Sequence, residues 1–353
     1  MEIKAITEIL QSGLLSGFRA NSDHHLGGKY VQKFEADFKA YFSVKHAVSF
    51  SSATSALHTA LIACGIEPRD EVITSPFTFS ASASCILMAG AKPVFADIRD
   101  DIYCLKLHSI QEAITPKTKA VIPVHLHGHP ADMDEIMMVK SLGIKVIEDC
   151  AQAIGAVYKG KYAGTMGDCG VFSFNQHKHI NTGEGGMLIT NDDEIAETSR
   201  LVRNHGETQS HILGYNYKMT EITAAIGAER LKGLDKDLKH RRELASCLTE
   251  GISGISGLTP PIVYPDCQHS FYTYPVRVKN RDKLQDKLLQ RGIYFGKGGL
   301  KPLHLFPFYG GHVGQFPIAE KMWKEVMFTD RIKFPLTKKD IRDIIKGIRE
   351  VYG

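Results

Sequence analysis

Along residues 46–190, short apolar runs rich in β-branched and aromatic side chains alternate with stretches whose apolar positions recur at helical spacing. Residues 46–50, 71–75, 93–98, 120–124 and 145–148 have the length and composition of strands. Residues 53–64, 79–88 and 131–142 carry the helical period between them. Gly65 and Gly143 follow the first and third of these, where a glycine commonly closes a helix in the left-handed conformation. Strand–helix–strand alternation predicts an α/β fold with a mainly parallel sheet covered on both faces. In such sheets chemistry collects beyond the carboxyl ends of the strands.

The pattern changes after about residue 235. A helical stretch over 219–250 is predicted to end at Gly251, PPIVYP reads as a linker, and SFYTYPVRV alternates like a half-exposed antiparallel strand. Residues 282–290, 318–327 and 338–352 read as helices packed on that strand. The expected organisation is a large α/β domain over 1–240 and a smaller C-terminal α+β domain over 241–353. An amphipathic N-terminal helix within 1–20 is expected to pack on the small domain. A length of 353 residues suits two lobes.

Composition narrows the function classes. With 43% hydrophobic and 23% charged residues, the chain has an ordinary globular balance, which excludes disordered, collagen-like and coiled-coil classes. A net charge of +4, dispersed along the chain, argues against nucleic acid as the main partner. The seven cysteines (64, 85, 104, 150, 169, 247 and 267) form an odd set without a C-x-x-C pair, so reduced thiols in a cytoplasm are expected. The start, MEIKAITEILQSGLLSGF, lacks the basic and long apolar regions of a signal peptide. No run reaches the roughly 18 apolar residues of a membrane span.

Three stretches carry candidate chemistry. SFSSATSALHTAL at 49–61 is a strand, small residues and a helix start, where free N–H groups at Ala53 and Thr54 suit an anion; an ordinary serine cap has the same sequence. KVIEDCAQAIGA at 145–156 ends an apolar strand in Asp149, which could cap a helix, bind a metal or pair with a cation. GVFSFNQHKHINTGEGGMLIT at 170–190 holds Lys178 in a polar loop between two β-rich runs, and a loop lysine is ordinarily a solvated charge. A competing constellation is VHLHGHPADMD, where His125, His127 and His129 at alternate positions, with Asp132 and Asp134, resemble a metal-dependent hydrolase loop.

An amine, a strand-end carboxylate and an anion-binding helix start are together what pyridoxal phosphate (PLP) requires. GKYVQKFEADFKAYF, SSATSALHTALIACGI, DEVITSPFTFSASA, GAKPVFADI, HPADMD, IEDCAQAIGA, FSFNQHKHINTGEGG, RNHG, GYNYKMTEITAAIG and KPLHLFP follow one another along almost the whole chain. In these blocks the chain resembles the DegT/DnrJ/EryC1/StrS family of PLP-dependent nucleotide-sugar aminotransferases, with the PLP fold-type I architecture.

The resemblance implies Lys178, five residues before GEGG, as the catalytic lysine that holds the cofactor aldehyde. It implies Asp149 at the pyridine nitrogen, Gln152 near the ring hydroxyl and Phe79 stacked on the ring. Ala53, Thr54 and Ser173 are implied at the phosphate. Asn216 and Lys218 are implied to complete the site of a neighbouring subunit, hence a homodimer. The implied reaction moves an amino group from L-glutamate to a nucleoside-diphosphate keto sugar, with a 4-keto-6-deoxyhexose favoured because PLH around His304 is similar to the 4-amino branch. Relatives often have HLYGHP where this chain has His127, and HPVK where it has Asn175 to Lys178. FGKGGL at 295–300 and DRIKFPLT at 330–337 also depart from the pattern. The alternatives are a PLP-dependent sugar 3-dehydratase, the histidine-loop hydrolase and a non-catalytic regulator of the same fold.

Overall fold

The computed structural model describes residues 2–19, 25–207, 212–297, 300–330 and 332–352. Residues 298, 299 and 331, within two of the divergent stretches, lie outside the described residues, as do residues 1 and 20 of the N-terminal segment. At the centre is a seven-stranded sheet in the order His46–Phe50, Gly186–Thr190, Cys169–Ser173, Lys145–Asp149, Thr118–Ile122, Glu71–Thr74, Lys92–Phe95. Six strands run parallel, and Gly186–Thr190 is antiparallel to both neighbours. Every predicted strand of this region is present, within three residues at either end. The α/β expectation holds.

Alternation along the strands divides the core into two faces. Val171 and Leu188 point into one cluster with Val48, Leu57, Leu61 and Ile147, beneath the helix Ala53–Ala63. Phe172, Met187 and Ile189 point the other way, onto the helix Lys29–Phe42. That helix buries Val31, Phe34, Phe38 and Phe42, spaced three and four apart, so one stripe meets the sheet. Phe38 packs edge-on against Phe172 at 5.3 Å and Phe174 at 5.7 Å. Covered on both faces, the sheet leaves its strand ends as the open ground for a site.

The C-terminal part holds a four-stranded antiparallel sheet, in the order Leu258–Thr259, Tyr274–Val278, Val326–Thr329, Gly296–Lys297. The helices Arg281–Leu289 and Lys338–Tyr352 cover it around Leu248, Tyr274, Val276, Met327 and Ile341. The helix Leu234–Ile252 runs unbroken across the expected domain boundary at 240/241, so both parts share it.

Four expectations change in detail. The stretch 219–250 is two helices, Glu221–Leu231 and Leu234–Ile252, separated at Gly233. Gly251 is not the terminator: it lies inside the second helix, where a Cβ would come 2.2 Å from Ile345. Residues 131–142 form a short α-helix, Met133–Ile136, followed by 3-10 turns over Met137–Leu142, and residues 326–327, the end of the predicted helix 318–327, instead begin the strand Val326–Thr329 against Tyr274–Val278. The N-terminal helix Glu2–Ser12 packs on Glu221–Leu231, with Arg230 Nε donating to Glu2 Oε1 at 3.0 Å, and not on the small domain. No helix among the described residues is long and apolar enough to cross a membrane.

One buried ion pair ties the N-terminal helices to the sheet. Glu35 Oε1 accepts from Arg203 Nη1 at 2.5 Å, from Ser49 N at 2.8 Å and from Ser49 Oγ at 2.7 Å. Arg203 is fully buried, with Phe18 4.7 Å from its guanidinium. Glu35→Gln keeps an acceptor for Ser49 but strands the Arg203 charge, a class of change that costs about 3–5 kcal/mol. Urea unfolding is expected to show that loss, and adding Arg203→Met is expected to recover at least half of it. A double variant no more stable than Glu35→Gln would contradict the pairing argument.

Candidate active site

Asp149 closes the central strand Lys145–Asp149, and its backbone N–H still pairs with Pro123 O at 2.9 Å. Its carboxylate is buried, with Oδ2 accepting from Ser82 Oγ at 2.7 Å and Oδ1 from Ala151 N at 3.0 Å. The neighbouring strand Cys169–Ser173 ends in Ser173 and leads into the loop that carries Lys178. Asn175 shapes that loop: its O and Oδ1 accept from Lys178 N at 2.8 Å and His177 N at 3.2 Å, while Nδ2 donates to Glu184 at 2.8 Å. Lys178 therefore points inward. Its Nζ lies 4.1 Å from the centre of the Tyr272 ring, and burial pulls its pKa down to about 8 against the opposing pull of the Asp149 charge.

The anion cradle follows the edge strand His46–Phe50. Ser52 caps the helix Ala53–Ala63, its side chain accepting from Ser55 N at 3.1 Å. The N–H groups of Ala53 and Thr54, in the first turn, find no acceptor among the described residues. Gly186 fits directly behind: a Cβ there would sit 2.5 Å from Ser52 C and 2.6 Å from Ala53 N. This close approach explains the last glycine of the GEGG run, a pattern with no dinucleotide or P-loop spacing.

These groups meet in one cavity of about 460 Å³. Ala53, Thr54, Phe79, Asp149, Gln152, Ser173 and Lys178 all line it, from four separate stretches of the chain. Phe79 is 59% exposed there, a large ring left free to cover a planar ligand. Gln152 Oε1 accepts from His127 N at 2.8 Å, which fixes the side-chain amide. Asn216, Lys218 and His304 are not among the lining residues. His304 is buried, with Nε2 3.1 Å from Glu320 Oε1 and its ring against Phe316. Asn216 is exposed on the segment whose Tyr217 O accepts from Ser51 N at 2.8 Å, one residue before the cradle. Sequence reasoning missed Ser82, Tyr272 and Thr273, and it named His127 in the metal-loop alternative and as a departure from the family pattern. Ser82 was within reach, lying one helical turn after Phe79, whereas Tyr272 and Thr273 depend on contacts between distant segments.

The histidine loop does not form the shell its alternation suggested. A 3-10 turn over Leu126–Gly128 breaks the extended geometry, and the three imidazoles take separate partners. His125 bonds Glu148 at 3.0 Å and Ala131 N at 2.9 Å, His127 bonds Thr273 at 2.7 Å, and His129 Nδ1 bonds Pro130 O at 2.6 Å. Asp132 accepts from Tyr158 Oη at 2.8 Å and Asp134 pairs with Lys159 at 2.6 Å. His125, Glu148 and Cys150 do bring ligand atoms within 4.8 Å of one another. Glu148, however, already accepts from the N–H groups of Gly164, Met166 and Gly167 at 2.6–2.7 Å, so it serves as an internal anchor for that loop.

The donor set suits PLP. Lys178 offers a desolvated amine for an aldehyde, Asp149 a buried anion for a ring nitrogen, and the Ala53–Thr54 helix start unpaired donors for a phosphate. A sheet with one antiparallel strand, a strand-end carboxylate and an inward lysine in the following hairpin together define an aminotransferase architecture. The DegT/DnrJ/EryC1/StrS aminotransferase family model matches residues 4–349, and the chain belongs to that family. It is 37% identical to the GDP-perosamine synthase of Escherichia coli O157:H7, over 92% of this chain and 91% of that protein. The solved structure of Streptomyces venezuelae DesV superposes with a TM-score of 0.92 at 35% identity, covering 99% of this chain and 93% of that one. A putative sugar aminotransferase of Streptococcus pneumoniae, solved in its PLP form, gives a TM-score of 0.89 at 26% identity, covering 99% of this chain and 95% of that one.

The lowered pKa of Lys178 has a direct consequence for its reactivity. Only the unprotonated amine is nucleophilic, so labelling of Lys178 by fluorodinitrobenzene in the cofactor-free protein is expected to rise with pH and reach half its maximum near pH 8. A midpoint at the ordinary lysine value, about 10.4, would show that burial does not govern this amine.

Proposed function

We propose that this protein is a PLP-dependent aminotransferase that moves the amino group of L-glutamate to a nucleoside-diphosphate keto sugar; the 4-keto preference drawn from His304 is not carried forward, because that residue lies outside the cavity. The observation that carries the reading is the meeting of Lys178 and Asp149 in one cavity with the open helix start at Ala53–Thr54. The resemblance to proteins named as sugar transaminases supports the acceptor class.

PLP, when bound, supplies an aldehyde and an electron-accepting ring. The residues of the chain do the rest. Ala53, Thr54 and Ser173 hold the phosphate, the first two through N–H groups at the positive end of a helix. Asp149, itself fixed by Ser82 and Ala151, keeps the ring nitrogen protonated. Phe79 covers one face of the ring, and Gln152 binds the ring hydroxyl through an amide oriented by His127 N. Lys178 holds the aldehyde at rest. When free, its amine would act as the base that takes the donor's α-proton and as the acid that returns it. Burial favours the unprotonated form of this amine, the form a base requires. A histidine at this position could move protons but could not hold the aldehyde, so a lysine favours transamination over dehydration.

Incubation with PLP, L-glutamate and a panel of 3-keto and 4-keto nucleotide sugars, read by mass, tests this reading. The expected products are 2-oxoglutarate and an amino sugar carrying the glutamate nitrogen. Lys178→Ala is expected to abolish both, and Asp149→Asn to slow turnover on the order of 10²-fold or more. Loss of water from the keto sugar without nitrogen transfer would establish the dehydratase instead.

The same reading makes the active unit a two-fold dimer, in which Asn216 and Lys218 reach the cofactor phosphate of the partner. Their absence from their own cavity is consistent with that role. Mixing a Lys178→Ala subunit with an Asn216→Ala, Lys218→Ala subunit is expected to restore about a quarter of wild-type activity, since half the dimers are mixed and each regains one intact site. A fully active monomer would contradict it.

A further inference from the structure

The turn Leu126–Gly128 presents a side chain to which the reading above gives no task of its own. His127 lines the cavity, is 7% exposed, and sits at φ 58° and ψ −5°, a left-handed conformation uncommon for a side chain of this size. Such a conformation persists where the surroundings over-determine it. Here they do: its N–H donates to Gln152 Oε1 at 2.8 Å, its carbonyl accepts from Thr273 N at 3.3 Å, and Gly128 packs so closely that a Cβ would meet Ser270 Oγ at 2.5 Å. The fold thus spends strain to hold one imidazole in place. That ring is anchored through Nδ1 to Thr273 Oγ1 at 2.7 Å, while Nε2 is buried and without a partner.

Hydrogen accounting sets the tautomer. Among the described residues Nδ1 is the one partner of the Thr273 hydroxyl. Donation to Nδ1 leaves only Nε2–H open, whereas acceptance from Nδ1–H leaves both the hydroxyl hydrogen and Nε2 open, so the first arrangement is favoured. A neutral ring then carries its own hydrogen on Nε2. Burial holds the ring neutral by pushing its pKa down to about 4. A buried, unpaired N–H at the wall of a cavity is a donor that gains a hydrogen bond only when a ligand arrives.

We propose that His127 is a specificity-determining residue of the amino-acceptor site, its Nε2–H donating to an uncharged hydroxyl or keto oxygen of the sugar. The proposal rests on the aminotransferase reading of this cavity. The surroundings favour a sugar over the donor's carboxylates. The imidazole lies against the rings of Tyr103 at 5.6 Å and Phe328 at 6.1 Å, an apolar corner suited to the face of a sugar ring. A carboxylate there would call for a cation; among the described residues Lys178 is the one lysine or arginine that lines the cavity, and it sits over the Tyr272 ring. The anchor also comes from afar: Thr273 immediately precedes the strand Tyr274–Val278 and is adjacent in sequence to Tyr272, which lies under Lys178. One short segment therefore places both the acceptor-binding donor and the support of the amine.

Three variants test the assignment. His127→Asn keeps a residue that tolerates positive φ but removes the ring nitrogen; Thr273→Val removes the anchor, and Thr273→Ser restores it. Calorimetry with an amino-sugar nucleotide and single-turnover kinetics of each half-reaction give independent readouts. The expected result is about a 10-fold rise in the sugar Kd and in the KM of the sugar half-reaction for His127→Asn and Thr273→Val. Thr273→Ser is expected to match the wild type, and the glutamate half-reaction to change far less than the sugar one in all three. An unchanged sugar Kd would overturn the proposal, as would a loss confined to glutamate or to PLP affinity. If wild-type protein releases no 2-oxoglutarate, the aminotransferase reading fails, and the calorimetric comparison still decides the His127 contact.

Discussion

A lysine amine buried at the end of a parallel sheet, near a carboxylate that cannot leave, is the constraint from which the rest of the site follows. Removing the Lys178 amine from water disfavours its charge, and the nearby Asp149 charge restores part of it, leaving the pKa near 8. Neither group could hold its position alone. Asp149 is fixed by Ser82 and the Ala151 N–H, and Lys178 by a loop whose turn is written in Asn175. The sheet brings the two together because adjacent strands, Lys145–Asp149 and Cys169–Ser173, run parallel and end at the same edge.

That geometry explains why so much was legible in the chain. The strand periodicity marked every strand of the first half of the sheet, and strand ends are where such folds place chemistry. Of the seven residues that converge on the cavity, Ala53, Thr54, Asp149 and Lys178 sit at a helix start, a strand end and a hairpin loop that local pattern marks, whereas Phe79, Gln152 and Ser173 were implied by the family resemblance alone. What periodicity could not weigh was tertiary contact. Gly251 reads as a helix terminator, yet it serves the close approach of Ile345, and residues 326–327 end a helical pattern over 318–327 yet pair as a strand with Tyr274–Val278. The N-terminal helix, amphipathic in sequence, carries no mark of which surface it covers.

The histidine loop shows the same limit at the level of chemistry. Alternate positions converge only if the backbone is extended, and at His127 it is not. The positive φ there is set by partners more than twenty residues away, Gln152 and Thr273, which no local pattern announces. Three histidines that look like one metal shell are instead an anchor for Glu148, a donor facing the cavity and a ring closed onto its neighbour's carbonyl. Segments from the C-terminal part reach this loop through Ser270 and Thr273, so the two parts of the chain share the wall of the site.

The central claim is that Lys178, among all the lysines of the chain, holds the cofactor. Purified protein incubated with PLP and reduced with borohydride, then digested and mapped by mass, addresses it most directly. The account requires a single stoichiometric pyridoxyl label on the peptide containing Lys178, lost in the Lys178→Ala variant. A label on a different lysine, or none above background, would contradict it.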